Sequence, residues 1–370
     1  MVAAAIPLGD IAALPKLLTP KSNGLAALTL ANILIKKDIY VDIYSAKNFF
    51  LYDRSRTLGI SKSNIHYFKK EIINIDKILW KITNIKVYTE KNYKKEILKF
   101  GNKNDQIFSI IRNYQLQKLL IQKLKKSKFI KFKNNFNAEI NKYKLIINSD
   151  PANPIIKKFF SKKIEKNYNS YAYTTTIIHK KIKNHTAFQN FTNIGPIAFL
   201  PISDTETSIV YSLRSVKKKS DFEMNNLVKQ YNPTYSIQKI NSWANFRLKF
   251  SSLRNYYKGN ILAFGDILHR VHPLAGQGFN MSIRDIKILS DLIDEKIKLG
   301  LELDSSLCKD FQKQSRSKNF IFLSGIDWIY ELFNLENKTN LKLLTKSINL
   351  IGNIKIVNTF LKNFADIGIR

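Results

Sequence analysis

Apolar and polar positions alternate along this chain with two different periods, and the switches between them outline its elements. GLAALTLANILIKK, residues 24–37, is apolar on nearly every face, as expected of a helix packed against a sheet. IYVDIYS (Ile39–Ser45) follows with the short β-branched and aromatic run of a strand. Further strands are predicted at IKVYTE (85–90) and EILKF (96–100). Ser109–Ser127 reads as a strand end followed by an amphipathic helix with Leu116, Leu119, Leu120 and Leu124 on one face, and the lysines between 123 and 133 read as a solvated face. YKLIINSDPAN (Tyr143–Asn153) predicts a buried strand ending in Asp150. From 168 to 214 alternating runs are broken by turn signals at Lys183-Asn184, Thr192-Asn193 and Ser203-Asp204, the pattern of an antiparallel sheet. SDFEMNNLVKQY then offers Ser220 as N-cap with Glu223 three residues on, a capping box. Residues 304–335 and 339–365 predict amphipathic helices, with Trp328, Phe333 and Phe360 as core anchors.

One stretch, Gly259 to Asp285, combines these periods in a way that suggests chemistry. An apolar run (Ile261, Leu262, Ala263, Phe264) reads as a buried strand that Gly265 and Asp266 end. A loop carries His269, His272 and Pro273, and Gly276, Gln277 and Gly278 lead into a helical pattern from Phe279. A strand, an acidic turn, a glycine-rich loop and a helix start present backbone N–H groups to an anion or an electron-rich ring. Asp266 is suited to accept hydrogen bonds from ribose or ribityl hydroxyls or to cap the turn, and Asn280 to cap the helix, contact a ligand, or both. The histidines are expected to be structural or to line the pocket; with no third ligand at suitable spacing, metal binding is not expected.

Composition bounds the rest. The 370 residues suffice for two closely packed domains. A net charge of +33, from 61 Lys+Arg against 28 Asp+Glu, points to a polyanion, or to a Lys/Asn/Ile-rich composition of the kind an AT-rich genome gives. No nucleic-acid motif accompanies the charge, so no nucleic-acid partner is expected, while a peripheral membrane contact stays open. The single cysteine, Cys308, excludes an internal disulfide framework and a cysteine metal site, and fits a reducing, cytoplasmic setting. The first 18 residues are Ala/Leu-rich and unlike the rest, lack the basic start of a signal peptide, and fit a terminal helix, an expression remnant or a misplaced start.

The spacing from Gly265-Asp266 through HPLAGQG to Asn280 resembles the second FAD-binding motif of the flavin-dependent aromatic hydroxylases, and its core looks most like the ubiquinone-biosynthesis hydroxylases. Arg56 in DRSRTLGISKSN, Asn113 with Leu116, Asp150, and GPIAFLPI (Gly195–Ile202) after His185, Ala187 and Phe191 match further segments of that family in order. Departures cluster at the first dinucleotide fingerprint. Thr19 and Lys21 stand where its first two glycines fall and only Gly24 is kept; Ser45 replaces the ribose-binding acid, Pro151 replaces a glycine, and Pro15 and Lys16 interrupt the first strand.

The resemblance implies an α/β fold: a Rossmann-like FAD-binding domain (19–66, 100–165 and 255–300), an inserted antiparallel β substrate domain (67–99 and 166–254) and a helical C-terminal region (301–370), after the atypical segment 1–18. It implies FAD held by Gly24, Arg56, Asn113, Asp150, Gly265, Asp266, Pro273, Leu274, Gly276, Gln277, Gly278 and Asn280, with no catalytic acid or base in the protein. The implied reaction is hydroxylation of a polyprenylated phenol through a flavin C4a-hydroperoxide, using O2 and electrons from NAD(P)H or a ferredoxin-like donor. Membership of a quinone-biosynthesis complex and a place on the inner membrane face belong to the same expectation. The departures leave open a non-catalytic, flavin-poor relative serving as a partner in such a complex.

Overall fold

The computed structural model describes residues 3–7, 24–44, 54–89, 98–101, 106–133, 143–215, 217–272 and 277–339. The first half of the chain runs β1 (Ala3–Pro7), α1 (Leu25–Lys36), β2 (Val41–Tyr44), β3 (Thr57–Ser61), α2 (Lys62–Tyr67), β4 (Leu79–Ile82), β5 (Asn84–Thr89), β6 (Leu98–Phe100), β7 (Phe108–Arg112), α3 (Asn113–Leu124), β8 (Ile130–Lys133) and β9 (Tyr143–Asn148). The second half runs α4 (Pro154–Phe159), β10 (Lys163–His179), β11 (Thr186–Thr192), β12 (Gly195–Pro201), β13 (Glu206–Arg214), α5 (Asp221–Tyr231), β14 (Ile237–Ile240), β15 (Ala244–Leu253), β16 (Tyr257–Lys258), β17 (Ile261–Ala263), β18 (His269–Arg270), α6 (Gln277–Lys298) and α7 (Ser305–Thr339). The architecture is the expected one: a Rossmann-like α/β layer, a β-sheet layer and a helical C-terminal part.

The α/β layer is built on a sheet of order β16-β17-β9-β1-β2-β8. Strands β2 and β8 are parallel, as are β9 and β17. β1 lies between the two pairs and runs antiparallel to both neighbours. Part of the segment that looked atypical, Ala3–Pro7, is therefore the middle strand of this sheet. Pro7, which has no N–H to give, falls beside Tyr143 at an irregularity of the register, where a missing ladder bond is tolerated. Pro15, Lys16, Thr19, Lys21 and Ser45 lie outside the described residues.

Helix α1 explains its apolar faces by its position. From Leu25 to Ile35 every residue but Ala26 is buried, because α1 touches the sheet strand β2, α3 and α6 at once. Asn32 ties it to α3 by donating Nδ2 to Leu28 O (2.8 Å) and Leu120 O (3.2 Å). Among the lysines expected to be solvated, Lys123 is half-buried, donates to the Ile72 carbonyl, and has its pKa lowered by burial.

The β layer has the order β18-β15-β10-β13-β12-β11-β5-β6, with β14 also paired to β10. The expected antiparallel pairings of 168–214 are present, while β5 joins β11 in parallel. One hydrophobic cluster of this sheet takes Met224 and Val228 of α5, whose Ser220–Glu223 capping box forms as its sequence predicts. Another takes Phe322, Leu323, Ile326 and Tyr330 of α7. A small sheet, β3-β7-β4, borders the large one through Thr57 Oγ1 donating to Ser208 Oγ (2.7 Å) and an Arg112–Glu206 ion pair.

Trp328 is not a core anchor. It is 68% exposed, because the inward stripe of α7 is set by Leu323, Ile326 and Tyr330 and Trp328 falls off it. The side chain of Phe333, and Phe360, lie outside the described residues. No described helix is long and apolar enough to cross a membrane.

Candidate functional site

Three pieces of backbone meet at the carboxyl ends of β9 and β17. The first is the start of α1. Gly24 precedes it, no side chain caps it, and its first turn holds no acidic residue, so the N–H groups and positive dipole end of this helix face an uncompensated end.

The second is the turn after β9. Asn148 Oδ1 accepts from the Asp150 N–H (3.0 Å), and Asp150 Oδ1 accepts from the Ala152 N–H (2.9 Å). Asp150 Oδ2, Ser149 Oγ and the Nδ2 atoms of Asn148 and Asn153 are buried with no hydrogen-bond partner among the described residues. Burial raises the Asp150 pKa above the usual carboxylate value. Unpartnered polar atoms gathered at one turn are costly unless a polyhydroxylated or charged ligand supplies their partners.

The third is the turn after β17. Gly265 has φ +61°, and a Cβ there would stand 3.2 Å from Ala26 Cβ and 3.8 Å from Ser149 Cβ. Backbone conformation and close approach both call for glycine, and the same distances show that this turn touches the other two pieces. Asp266, next in the chain, is exposed, and its carbonyl accepts from Arg270 Nε (3.3 Å). Gly24, Asp150, Gly265 and Asp266 are thus brought to one place.

A second group surrounds the start of α6. Pro273, Leu274 and Gly276 lie outside the described residues. Gln277 begins the helix with Oε1 buried and unpartnered. A Cβ on Gly278 would meet no atom of the described residues within 4 Å. Asn280 is the fourth residue of α6 and does not cap it. Its Oδ1 accepts from Ser61 N–H (3.1 Å) and Asn64 Nδ2 (2.9 Å), and its Nδ2 donates to Gly59 O (3.0 Å). These bonds make it a tie between α6 and the β3–α2 corner. Arg56 lies over the Phe246 ring at 5.5 Å, and its carbonyl accepts from the Asn113 N–H (3.0 Å). Asn113 Oδ1 and Gln117 Oε1 are further buried, unpartnered acceptors.

The sequence reading missed the network that fixes α6. His269 Nε2 lies 2.6 Å from Asp285 Oδ2, and Asp285 Oδ1 accepts from Asn319 Nδ2 of α7 (2.8 Å). All three side chains are buried. A signal was present: Asp285 sits four residues from both Met281 and Leu289, on the buried stripe of α6. His272 is placed differently. It is buried, stacks on Tyr330 at 4.1 Å and meets Tyr168 edge-on at 5.5 Å, and neither ring nitrogen has a partner among the described residues. Burial pushes its pKa down to about 3, so the ring is neutral near neutrality. Cys308 is buried, and its thiol is pushed above the usual range by desolvation, which makes it inert. Among the described residues no cluster of side chains is fit to hold a metal ion.

Comparison with known proteins agrees with this geometry. A family profile described as FAD binding domain matches residues 199–298, which include β17, the Gly265 turn and α6. The mitochondrial ubiquinone biosynthesis monooxygenase COQ6 of Caenorhabditis elegans is 23% identical over 274 residues, 62% of this chain and 61% of the relative's own length. The match thus spans about three-fifths of that relative. The fold is similar to the crystal structure of p-nitrophenol 4-monooxygenase PnpA from Pseudomonas putida, with a TM-score of 0.75, 11% identity, and 95% and 97% of the two chains covered. It is also similar to Klebsiella pneumoniae HpxO complexed with FAD and uric acid, with a TM-score of 0.71, 9% identity, and 95% and 96% covered.

Replacing Asp285 with Ala strands His269 and Asn319 in the core and is expected to lower unfolding free energy by about 3–5 kcal/mol. Chemical denaturation measures this, and a loss under about 1 kcal/mol would show that the network contributes little. His272 predicts a pH effect. The unfolded imidazole takes a proton near pH 6.5 and the folded one only near pH 3, so its stabilisation is complete above about pH 7 and is lost on acidification. Between about pH 7 and about pH 5 the loss is about 2 kcal/mol, and His272→Phe is expected to remove that share of the slope.

Proposed function

We propose that this chain is an FAD-dependent monooxygenase that hydroxylates the ring of a polyprenylated phenol in ubiquinone biosynthesis, consuming O2 and electrons from NAD(P)H or a protein donor. The observation that carries the reading is the meeting of the uncapped α1 start, the buried unpartnered atoms around Asp150 and the positive-φ Gly265 at one edge of the sheet.

The residues present fit FAD. The α1 start suits the pyrophosphate, since the N–H groups and the dipole of a helix N-terminus both favour an anion. Asp150 and Asp266 are placed to accept hydroxyl hydrogens. Gly278, where a Cβ would meet no described atom, lets a planar ring system come close to the start of α6. When bound, FAD would supply the redox chemistry: one oxygen atom of O2 enters the ring and the other leaves as water. The protein binds, orients and excludes water, which fits a site without an acid–base triad. Tyr168, Tyr330, Phe191 and Phe250 belong to a buried apolar cluster of the β layer, and His272 packs against two of its tyrosines. The similarity to COQ6 supports a polyprenylated phenol as the substrate.

A second reading, a flavin-poor partner without activity, is favoured by β1 running against its neighbours and by Pro151, which removes an N–H beside Asp150. Purified full-length protein separates the two: the first reading expects a flavin spectrum, or FAD uptake, and a hydroxylated product that depends on donor and O2. Absence of both would leave the second. Gly278→Ala is expected to keep the stability of the FAD-free protein, since its methyl meets no described atom and alanine favours a helix, yet to weaken FAD binding at least about tenfold. Unchanged affinity would remove Gly278 from the site. Asp266→Ala is expected to lower FAD affinity and hydroxylation together, and full activity in that variant would sink its assigned role.

A further inference from the structure

Asn280 and Lys287 stand seven residues apart on α6, two turns, so their side chains lie on one face of it. Both reach the same residue of α2, the buried Asn64. Lys287 Nζ donates to Asn64 Oδ1 (2.9 Å), and Asn64 Nδ2 donates to Asn280 Oδ1 (2.9 Å). That last oxygen also accepts from the Ser61 N–H (3.1 Å), and Asn280 Nδ2 donates to Gly59 O (3.0 Å). Every bond in this chain runs in one direction. An ammonium only donates, so Asn64 turns its oxygen to Lys287 and its NH2 group to Asn280. A backbone N–H only donates and a carbonyl only accepts, so β3 fixes the Asn280 amide in the same sense. Gly59 and Ser61 are two residues apart on a strand that pairs with β7 on one side. From its other side the Asn280 carboxamide takes one donor and one acceptor, as the peptide group of a further strand would. Two contacts hold the outer end: Lys287 Nζ lies 4.9 Å from the centroid of the Tyr67 ring, and Ser61 Oγ accepts from the Asn64 N–H (3.4 Å).

We propose that Asn64 and Lys287 are positioning residues for the flavin: Lys287 orients the Asn64 amide, Asn64 orients Asn280, and Asn280 sets the first turn of α6 against β3. The inference rests on the FAD reading given above. Gly278, which that reading places against the planar ring system, is two residues before Asn280 in the same turn of helix, so what holds Asn280 holds the Gly278 backbone. An apolar contact would tolerate sliding of α6 along β3. Paired amides do not, because a shift leaves a buried N–H and a buried C=O without partners. Asn64 and Lys287 act through Asn280 rather than on the flavin, which makes them positioning and not catalytic groups. The polarity of the chain can be reversed from either position. In Lys287→Glu a carboxylate accepts where the ammonium donates, which turns the Asn64 amide around and brings its oxygen against Asn280 Oδ1. In Asn64→Asp the bond to Lys287 is kept, and a carboxylate oxygen again faces Asn280 Oδ1.

FAD titration of the full-length protein, stripped of flavin beforehand, tests this. Asn64→Asp and Lys287→Glu are each expected to weaken FAD binding at least about tenfold, since each turns a buried hydrogen bond into a contact between two acceptors. Lys287→Arg keeps a cationic donor and is expected to keep wild-type affinity. The visible circular dichroism of bound flavin separates positioning from stability, because it reports how the ring sits in the protein. At saturating FAD it is expected to change in Asn64→Asp and Lys287→Glu and to keep its wild-type shape in Lys287→Arg. Unfolding curves of the flavin-free variants give the folded fraction under the titration conditions. An affinity loss that this fraction accounts for in full, with unchanged flavin dichroism, would overturn the inference, as would wild-type affinity in both reversed variants. Should Asn64→Asp fail to fold, Lys287→Glu, at the half-buried end of the chain, carries the same test. Wild-type protein that takes up no FAD would remove the hydroxylase reading and this inference with it. Wild type that binds FAD beside reversed variants that bind it as well would remove the inference alone.

Discussion

A carboxylate with no exposed surface has to find donors inside the protein, and Asp285 sets the position of everything around it. One of its oxygens takes His269, which belongs to the short strand β18 paired with β15 of the large sheet. The other takes Asn319 of α7. The helix that carries Asp285 is also held at its start by Asn280, which is bonded to Gly59, Ser61 and Asn64. The two side chains are five residues apart on α6 and bind different parts of the fold: the β3–α2 corner at one end, the large sheet and the C-terminal helix at the other. His269 before residues 273–276 and Asn280 after them are both held by buried polar bonds, and polar geometry is less forgiving than hydrophobic contact.

How much of this the sequence disclosed depends on how local each signal is. The capping box of α5 forms because its two residues satisfy each other within one turn. The strand–glycine–acid order at 261–266 was equally readable, since β17, Gly265 and Asp266 follow one another directly. The middle strand β1 was not readable: Ala3–Pro7 is short and mostly alanine, with Ile6 its one β-branched residue, and only pairing with β2 and β9 makes it a strand. Asn280 was read as a helix cap, a ligand contact or both, and its ties to residues more than 200 positions earlier were not readable, a separation no local pattern encodes. Trp328 failed for another reason. Phe320 to Leu323 form an unbroken apolar run, and such a run does not say which of its members face inward.

The reversed β1 and the unpartnered atoms around Asp150 bear on different halves of the dinucleotide site proposed above. Direction matters most for a strand that feeds straight into the phosphate-binding turn, because there the chain must leave the sheet at the edge where the ligand lies. β1 leaves at the other edge. The atoms contributed by β9 and β17 do not depend on it, since those two strands run parallel to each other and end together. The departures from the family pattern at Thr19 and Lys21 and the reversal seen in the sheet therefore fall on the same half of the proposed site, and Asp150 and Gly265 belong to the other.

The charge of the chain can be weighed in the same way. A composition rich in lysine accounts for the number of cations, and most of the ion pairs they form are exposed and individually weak. It does not account for where apolar side chains are left uncovered. On α7 the acids Asp327 and Glu331 lie at i+7 and i+11 from the exposed Phe320 and are both taken up by Lys166, so the charge there is local ion pairing between two elements rather than a single-sign patch.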